Sequence, residues 1–286
     1  MRYQFIQTHQ EHYPVQLMCD ILEVSRSGYY DWVDRPQSPQ EQRRAALAVQ
    51  VKAAFEESRQ TYGSPRITRD LVAGGFKASR NTIAKIMRQE GIVGRMPRRF
   101  VPTTTDSTHD HPIAQNVLDR QFAPGTGTPT WVSDITYVPT AEGWLYLAAV
   151  MDLRTRKILG WAMADHMRVD LVLDALKMAL ARRKPGEDLV HHSDRGSQYA
   201  CQDYRRLLAE HQISCSMSRT GNCYDNAVME SFWATYKTEE VYRNDYATRD
   251  QAMAATFNYI EIFYNRKRRH SALGYVSPEA FEATMN

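Results

Sequence analysis

The spacing of apolar and polar positions changes character three times along the chain. Residues 41 to 58 repeat apolar positions at helical spacing, with Leu47, Val51, Ala54 and Phe55 on one side. Tyr62-Gly63 breaks that pattern, and Ser64-Pro65 reads as an N-cap followed by Pro in the first helical turn. The second helix is expected to run to about Val72 before Gly74-Gly75, and a third to start at Ser79, cover 80 to 90 and stop at Gly91. A shorter pair precedes them, Val15 to Leu22 and then a helix capped by Ser25 in SRSGYYDW. From 131 onward the period drops to two and to continuous apolar runs. That predicts strands over 131-138, 144-152 and 156-163, with turns at 141-143 and 154-155, hence an antiparallel meander. Alternation follows: a helix over 170-183, a strand over 188-193, a helix over 200-211, a strand over 213-217, a helix from about 226, and an amphipathic helix over 248-265. Strand-helix alternation after a meander predicts a mixed sheet with helices on its faces, an α/β fold preceded by all-α modules.

Residues 96 to 123 fit neither period. MPRRFVPTTTDSTHDHPIAQN is rich in Pro, Thr and charge and reads as a linker. The expected organisation is a small helix-turn-helix-like unit over 1-39, a basic helical module over 40-98, a linker over 99-123 and an α/β domain over 124-286.

Charge sharpens that division. The net charge is only +3, yet residues 40 to 100 hold 13 Lys or Arg against 5 Asp or Glu, while residues 124 to 286 hold 19 against 20. Positive charge concentrated in one module is the footprint of a phosphate partner. Helix, short turn and a second helix carrying Arg80, Asn81, Thr82, Lys85 and Arg88 has the pattern of a helix-turn-helix whose second helix enters the major groove. Arg98 and Arg99 at the linker start, and RKRRH with Arg266, Lys267, Arg268 and Arg269, are further candidates for phosphate contact. Residues 1 to 39 hold 3 basic and 5 acidic groups, and for them DNA contact and a packing or oligomerisation role both remain open. The four Cys residues form no C-x-x-C pair, which argues against a zinc knuckle and a disulfide framework. The longest apolar stretch, 144 to 151, is too short to span a bilayer and the first residues carry no signal-peptide core, so a cytoplasmic protein is expected.

Three carboxylates stand out. Asp134 lies inside the strand-like run WVSDITYVPT, where an unpaired charge is costly. Asp194 follows Leu189-Val190 at the end of a strand, where open α/β sheets place ligands. Glu230 lies in a helix without Gly or Pro from Asn226 to Tyr242, with Asp225 as a possible cap and Ala227, Val228, Phe232 and Trp233 as apolar members; 35 residues separate it from Asp194. Two strand-borne Asp and one helix-borne Glu are hard oxygen ligands of the kind that suit Mg²⁺ or Mn²⁺. Gly196 permits close backbone approach, Ser197 reads as a helix cap, and His192 as a strand-end histidine.

The strings DITYVPT, GWLYLAAVMDL, HSDRGSQY and GNCYDNAVMESF, with Lys237 seven positions after Glu230, resemble the DDE transposases of the retroviral-integrase superfamily. The resemblance is to the OrfB catalytic subunit of the IS-three family of insertion sequences and covers nearly the whole chain. It implies an RNase H-like integrase core in which Asp134, Asp194 and Glu230 hold two Mg²⁺ ions. It also implies cleavage at the element ends, strand transfer by the freed 3′-hydroxyl, double-stranded DNA as partner, a homo-oligomer on DNA near the bacterial nucleoid, and association with an upstream OrfA-type helix-turn-helix and leucine-zipper protein. Asn226 and Lys237 become candidate DNA contacts, with Asn226, Glu230 and Lys237 on one helix face and Lys237 emerging about 10 Å along it. Two other readings of the same residues stay open, a nuclease that hydrolyses without joining and a non-catalytic DNA-binding repressor.

Overall fold

The computed structural model describes residues 1-96, 112-119, 128-219 and 226-285. They fall into two compact units, Met1–Ala53 and Ala54–Asn286. Helices α1 (Arg2–His9), α2 (Val15–Ile21) and α3 (Arg26–Val33) belong to the first unit. Their core is Ile6, Met18, Cys19 and Tyr29, with Trp32 against it. Ser25 caps α3 by accepting from the Gly28 amide, and α1 is a helix that the apolar spacing did not announce.

The second unit starts in the last turn of α4 (Pro39–Glu57) and continues with α5 (Ser64–Ala73) and α6 (Arg80–Gln89). Ser79 caps α6 by accepting from the Thr82 amide, and Gly91 ends the segment with φ +66, a value that glycine adopts without strain. Gly63 rather than Ser64 occupies the N-cap of α5, one residue earlier than expected. On α6, Ile83, Ile86 and Met87 are buried while Arg80, Asn81, Thr82, Lys85 and Arg88 face solvent. The polar face expected to read DNA is therefore available.

The sheet runs β1 (Thr130–Thr140), β2 (Gly143–Asp152), β3 (Ile158–Ala164), β4 (Val190–Ser193) and β5 (Ser214–Met217), in spatial order β3-β2-β1-β4-β5. The first three strands form the expected antiparallel meander, and β4 and β5 add in parallel. Helix α7 (Val169–Arg182) covers one face through Leu171, Val172, Ala175, Leu176 and Ala179. It approaches so closely at Gly160 that an added Cβ would lie 2.1 Å from the Ala175 carbonyl oxygen. Helices α8 (Ser197–Ala200) and α9 (Gln202–Glu210) replace the single helix expected over 200-211.

On β1 and the residues that follow Glu230, aromatic packing dominates. Helix α10 (Ala227–Glu239) sets Phe232 and Tyr236 against Tyr264 and Tyr259, with ring centroids 4.8 and 5.2 Å apart. The helix expected over 248-265 is α11 (Arg249–Phe257) followed by a π-helical stretch, Asn258–Tyr264, and α12 (Pro278–Ala283) closes the chain. The π stretch buries Tyr259, Ile260, Phe263 and Tyr264 on one side.

The basic tail is corrected by the structure. Arg268 is buried and donates through Nε and Nη2 to the two oxygens of Glu239 at 2.8 Å each, with side chains only 4 % and 3 % exposed. Arg269 pairs with Asp70 and its amide donates to the Tyr62 hydroxyl at 2.7 Å. Only Arg266 and Lys267 of the four cations remain exposed, and Arg266 lies 3.5 Å from Glu279. Sequence spacing could not tell a cluster that faces solvent from one in which the consecutive Arg268 and Arg269 turn inward to partners 29 and 199 positions away. Removing one member of a buried pair strands the other charge, so Arg268→Ala should cost about 3–5 kcal/mol, whereas Lys267→Ala should stay within about 0.5 kcal/mol. Urea unfolding followed by far-ultraviolet circular dichroism separates the two; equal effects would return Arg268 to the surface.

Candidate active site

The parallel pairing of β1 with β4 aligns Thr130 with Val190, Trp131 with His191 and Val132 with His192. Two residues further along each strand direction stand Asp134 and Asp194. Side chains two positions apart share a face, and adjacent strands lie about 4.8 Å apart, so the register brings these carboxylates level on neighbouring strands. Each has one oxygen fixed by a backbone amide: Ile135 donates to Asp134 Oδ1 at 2.8 Å and Gly196 to Asp194 Oδ1 at 2.9 Å. The second Asp134 oxygen accepts from the Trp233 indole N–H at 3.0 Å.

Burial first, and then the neighbouring Asp194 charge, push Asp134 up to about 8, with Glu230 adding to the shift and the two hydrogen bonds opposing it. Glu230 is itself half-buried and raised by burial. Crowded carboxylates of this kind repel one another, and a divalent cation relieves the repulsion. Asp134 and Asp194 supply hard oxygens on adjoining strands, a donor set whose chemistry fits such an ion. Among the described residues, however, no three His, Cys, Asp or Glu side chains are gathered closely enough to hold a metal. Glu230 shares the field of Asp134 without joining a ready-made cluster.

Helix α10 brings the remaining sequence-predicted groups to the same place. Asn226, its N-cap, is buried with Nδ2 3.5 Å from the Ser133 carbonyl oxygen, at the long limit of a hydrogen bond, and its Oδ1 has no hydrogen-bond partner among the described residues. Lys237 departs from the expectation that it emerges along the helix face. It is buried, with Nζ 4.4 Å from the centre of the Tyr137 ring; burial lowers its pKa and the Asp134 charge raises it. An ammonium two turns from Glu230 is drawn back toward the sheet by a carboxylate and an aromatic face, neither of which helical spacing reveals.

His192 is a structural residue, buried with its ring nitrogens 2.9 Å from Ser216 Oγ and 3.2 Å from Ser218 Oγ. Ser197 is exposed in the first turn of α8, and Gly196 precedes it as N-cap. Asp225, Arg98 and Arg99 lie outside the described residues. Arg80, Asn81, Lys85 and Arg88 lie on α6, away from the carboxylates in sequence and on the exposed side of the helical module. Trp233 is the residue that sequence reasoning missed: it counts as apolar by composition, yet its N–H is the group that orients Asp134. Its place three positions after Glu230, one turn along the same helix, was the available signal.

Residues 128–223 match a family model described as integrase core domain, and residues 211–278 match a second model of the same description. Residues 41–100 match one described as HTH-like domain. A 31 kDa protein of insertion element IS600 from Shigella sonnei is 45% identical over 264 residues, 92% of this chain and 97% of its own length. The transposase InsF for insertion sequence IS3A of Escherichia coli (strain K12) is 42% identical over 284 residues, 99% of this chain and 98% of its own length. The chain belongs to the IS-three family of DDE transposases. The catalytic core domain of BIV integrase overlays with a TM-score of 0.41 at 17% identity, over 55% of this chain and 96% of that one. The family uses divalent metal ions, and its helix-turn-helix and integrase domains imply DNA binding.

Two tests follow from the geometry. Folded Asp134 keeps its proton to about 8 and its ordinary value is 3.8, so between these limits the folded chain binds more protons than the unfolded one. Stability of the metal-free protein then falls as pH rises through that window. Thermal melts of wild type and Asp134→Asn from pH 4 to 8 should diverge in that direction, with Mg²⁺ restoring the wild type more than the variant; parallel curves would refute the crowding. Trp233→Phe keeps the ring and loses the donor, and calorimetric titration should show divalent-ion affinity reduced about tenfold.

Proposed function

We propose that this chain is the catalytic transposase of an insertion sequence, cleaving DNA at the element ends and joining the freed ends to new phosphodiesters. The observation that carries the reading is the aligned Asp134 and Asp194 pair with Glu230 on the adjoining helix, within a chain 42–45% identical to insertion-sequence proteins over nearly its whole length. Asp134, Asp194 and Glu230 would hold two Mg²⁺ ions, with Mn²⁺ as substitute. When bound, such ions favour ionisation of an attacking hydroxyl and stabilise the leaving oxygen. The chain's own residues supply position. Trp233 and the Ile135 amide fix the Asp134 oxygens, the Gly196 amide fixes Asp194, and α6 holds the DNA.

The reaction has two parts. Water attacks the phosphodiester at the element end, the scissile P–O bond breaks, and the leaving 3′-oxygen takes a proton. That 3′-hydroxyl then attacks a second phosphodiester, one P–O bond replacing another, so no nucleotide cofactor is consumed. The partners are double-stranded DNA, further copies of the chain on that DNA, and an OrfA-type helix-turn-helix and leucine-zipper protein. The place of action is the bacterial cytoplasm, at the nucleoid; among the described residues no helix is long and apolar enough to cross a membrane.

Asp134→Asn, Asp194→Asn and Glu230→Gln should each abolish cleavage and joining of labelled inverted-repeat DNA in Mg²⁺ while leaving end binding nearly intact. Activity within about tenfold of wild type in any one would remove that residue from the site. Cleavage without joining would favour the nuclease reading, and binding without cleavage the repressor. Arg80→Ala and Lys85→Ala, both on the exposed face of α6, should weaken binding and lower the slope of affinity against salt by about 0.9 for each phosphate that is no longer neutralised.

A further inference from the structure

The end of the β1-β2 hairpin nearest the site carries two large aromatic side chains half in water. Tyr137 is 45% and Trp144 51% exposed, and their rings meet edge to face with centroids 4.8 Å apart. The fold does not require them there, since the sheet packs through Leu145, Leu147, Ala148, Ala149 and Val150. Tyr137 follows Asp134 by three residues on β1, about 10 Å along and with its side chain on the opposite face of the strand; Lys237, from the helix that carries Glu230, reaches its ring around the edge. Pairing of β1 with β4 ends at Val132, so Asp134 to Thr140 have β2 on one side and no strand on the other among the described residues. Two cations flank the pair. Lys237 Nζ lies 4.4 Å from the Tyr137 ring centre, and Arg249 Nε donates to the Trp144 carbonyl oxygen at 3.3 Å. Glu142 at the turn accepts from the Arg249 amide.

Exposed rings interleaved with cations, one to two nucleotides' reach from a carboxylate pair, have the chemistry of a stacking platform for nucleic acid. A protein partner would call for a wider apolar patch than two rings, and the partly exposed Arg249 beside Trp144 favours a polyanion. We propose that Tyr137 and Trp144 stack an unpaired nucleobase of the element end while its backbone lies at Asp134. This rests on the transposase reading. The end is chosen over target DNA because the same strand occupies the site through both cleavage and joining. Holding one base out of the duplex frays the terminal pairs and lets the scissile phosphate approach the carboxylates.

The test places 2-aminopurine at each of the last three positions of the inverted-repeat duplex, or in target DNA, and follows its fluorescence on binding the full chain in Ca²⁺. Asp134→Asn should retain the fluorescence change at an end position while losing chemistry, which separates failure of this proposal from failure of the catalytic reading. Trp144→Ala should abolish that change and slow joining of paired ends about tenfold, the scale of one base on one ring. Trp144→Phe should keep most of both, and ends made with unpaired terminal nucleotides should restore Trp144→Ala. Thermal melting checks that each variant is folded, as half-exposed positions should allow. The proposal is overturned if the signal appears only in target DNA, if paired and unpaired ends are slowed equally, or if Trp144→Ala changes the oligomeric state by light scattering and leaves the base signal intact.

Discussion

The site depends on three parallel residue pairs. Thr130 with Val190, Trp131 with His191 and Val132 with His192 are the whole ladder between β1 and β4, and among the described residues no other strand pairing fixes Asp134 against Asp194. A slip of one residue would turn one of the two aspartates to the opposite face of the sheet. The register is held by what packs beneath it. His191 shares hydrogen bonds with Ser133 Oγ at 2.8 Å and Tyr204 at 2.9 Å, tying β4 to β1 and to α9 at once. His192 is held by Ser216 and Ser218, tying β4 to the end of β5. Burial and the adjacent His192 take His191 down to about 3, so it remains neutral and adds no positive charge beneath the carboxylates.

Much of this was legible in the chain, and what was not has a physical reason. β1 and β2 came within two residues at each end because β-branched and aromatic residues bounded by turn formers leave few alternatives. Asp134 and Asp194 were visible because a carboxylate in an apolar run is costly without a partner. The π stretch was hidden, since aromatic residues at mixed spacing read as an ordinary amphipathic helix. Trp233 was hidden because its ring satisfies the apolar pattern while its single N–H orients the carboxylate. Arg268 was hidden for the opposite reason: a charged run reads as surface, and its carboxylate partner Glu239 lies 29 residues away at the end of α10.

Counting charges therefore does not tell an exposed basic stretch from an internally paired one. In the helical module, Arg80, Lys85 and Arg88 stand exposed on α6, because Ile83, Ile86 and Met87 on the opposite side bury the apolar stripe. In the tail, Arg268 and Arg269 are consumed by Glu239 and Asp70. The same residue type faces solvent in one place and pairs internally in the other, and the difference lies in the carboxylates that the fold brings near.

The Arg268 pair ends on the helix that carries Glu230. At its start, Asn226 lies against the strand that bears Asp134; at its end, Glu239 binds Arg268 and Tyr259, and Glu240 binds Arg59 at 3.0 Å. Arg59 comes from the turn after α4, where it and Gln60 both hold left-handed backbone, φ 57 and 58. Non-glycine residues occupy that region at a cost of order 1 kcal/mol each, so the surroundings must hold them there. Arg59 is held by Glu240, by Asn258 and by the face of Phe263, 4.9 Å from its guanidinium. The chain leading into α5 and α6 is thus fastened to the far end of α10, and the near end of α10 stands beside the carboxylates. Arg59, Glu240, Tyr259 and Phe263 join the turn before α5 to the helix that carries Glu230.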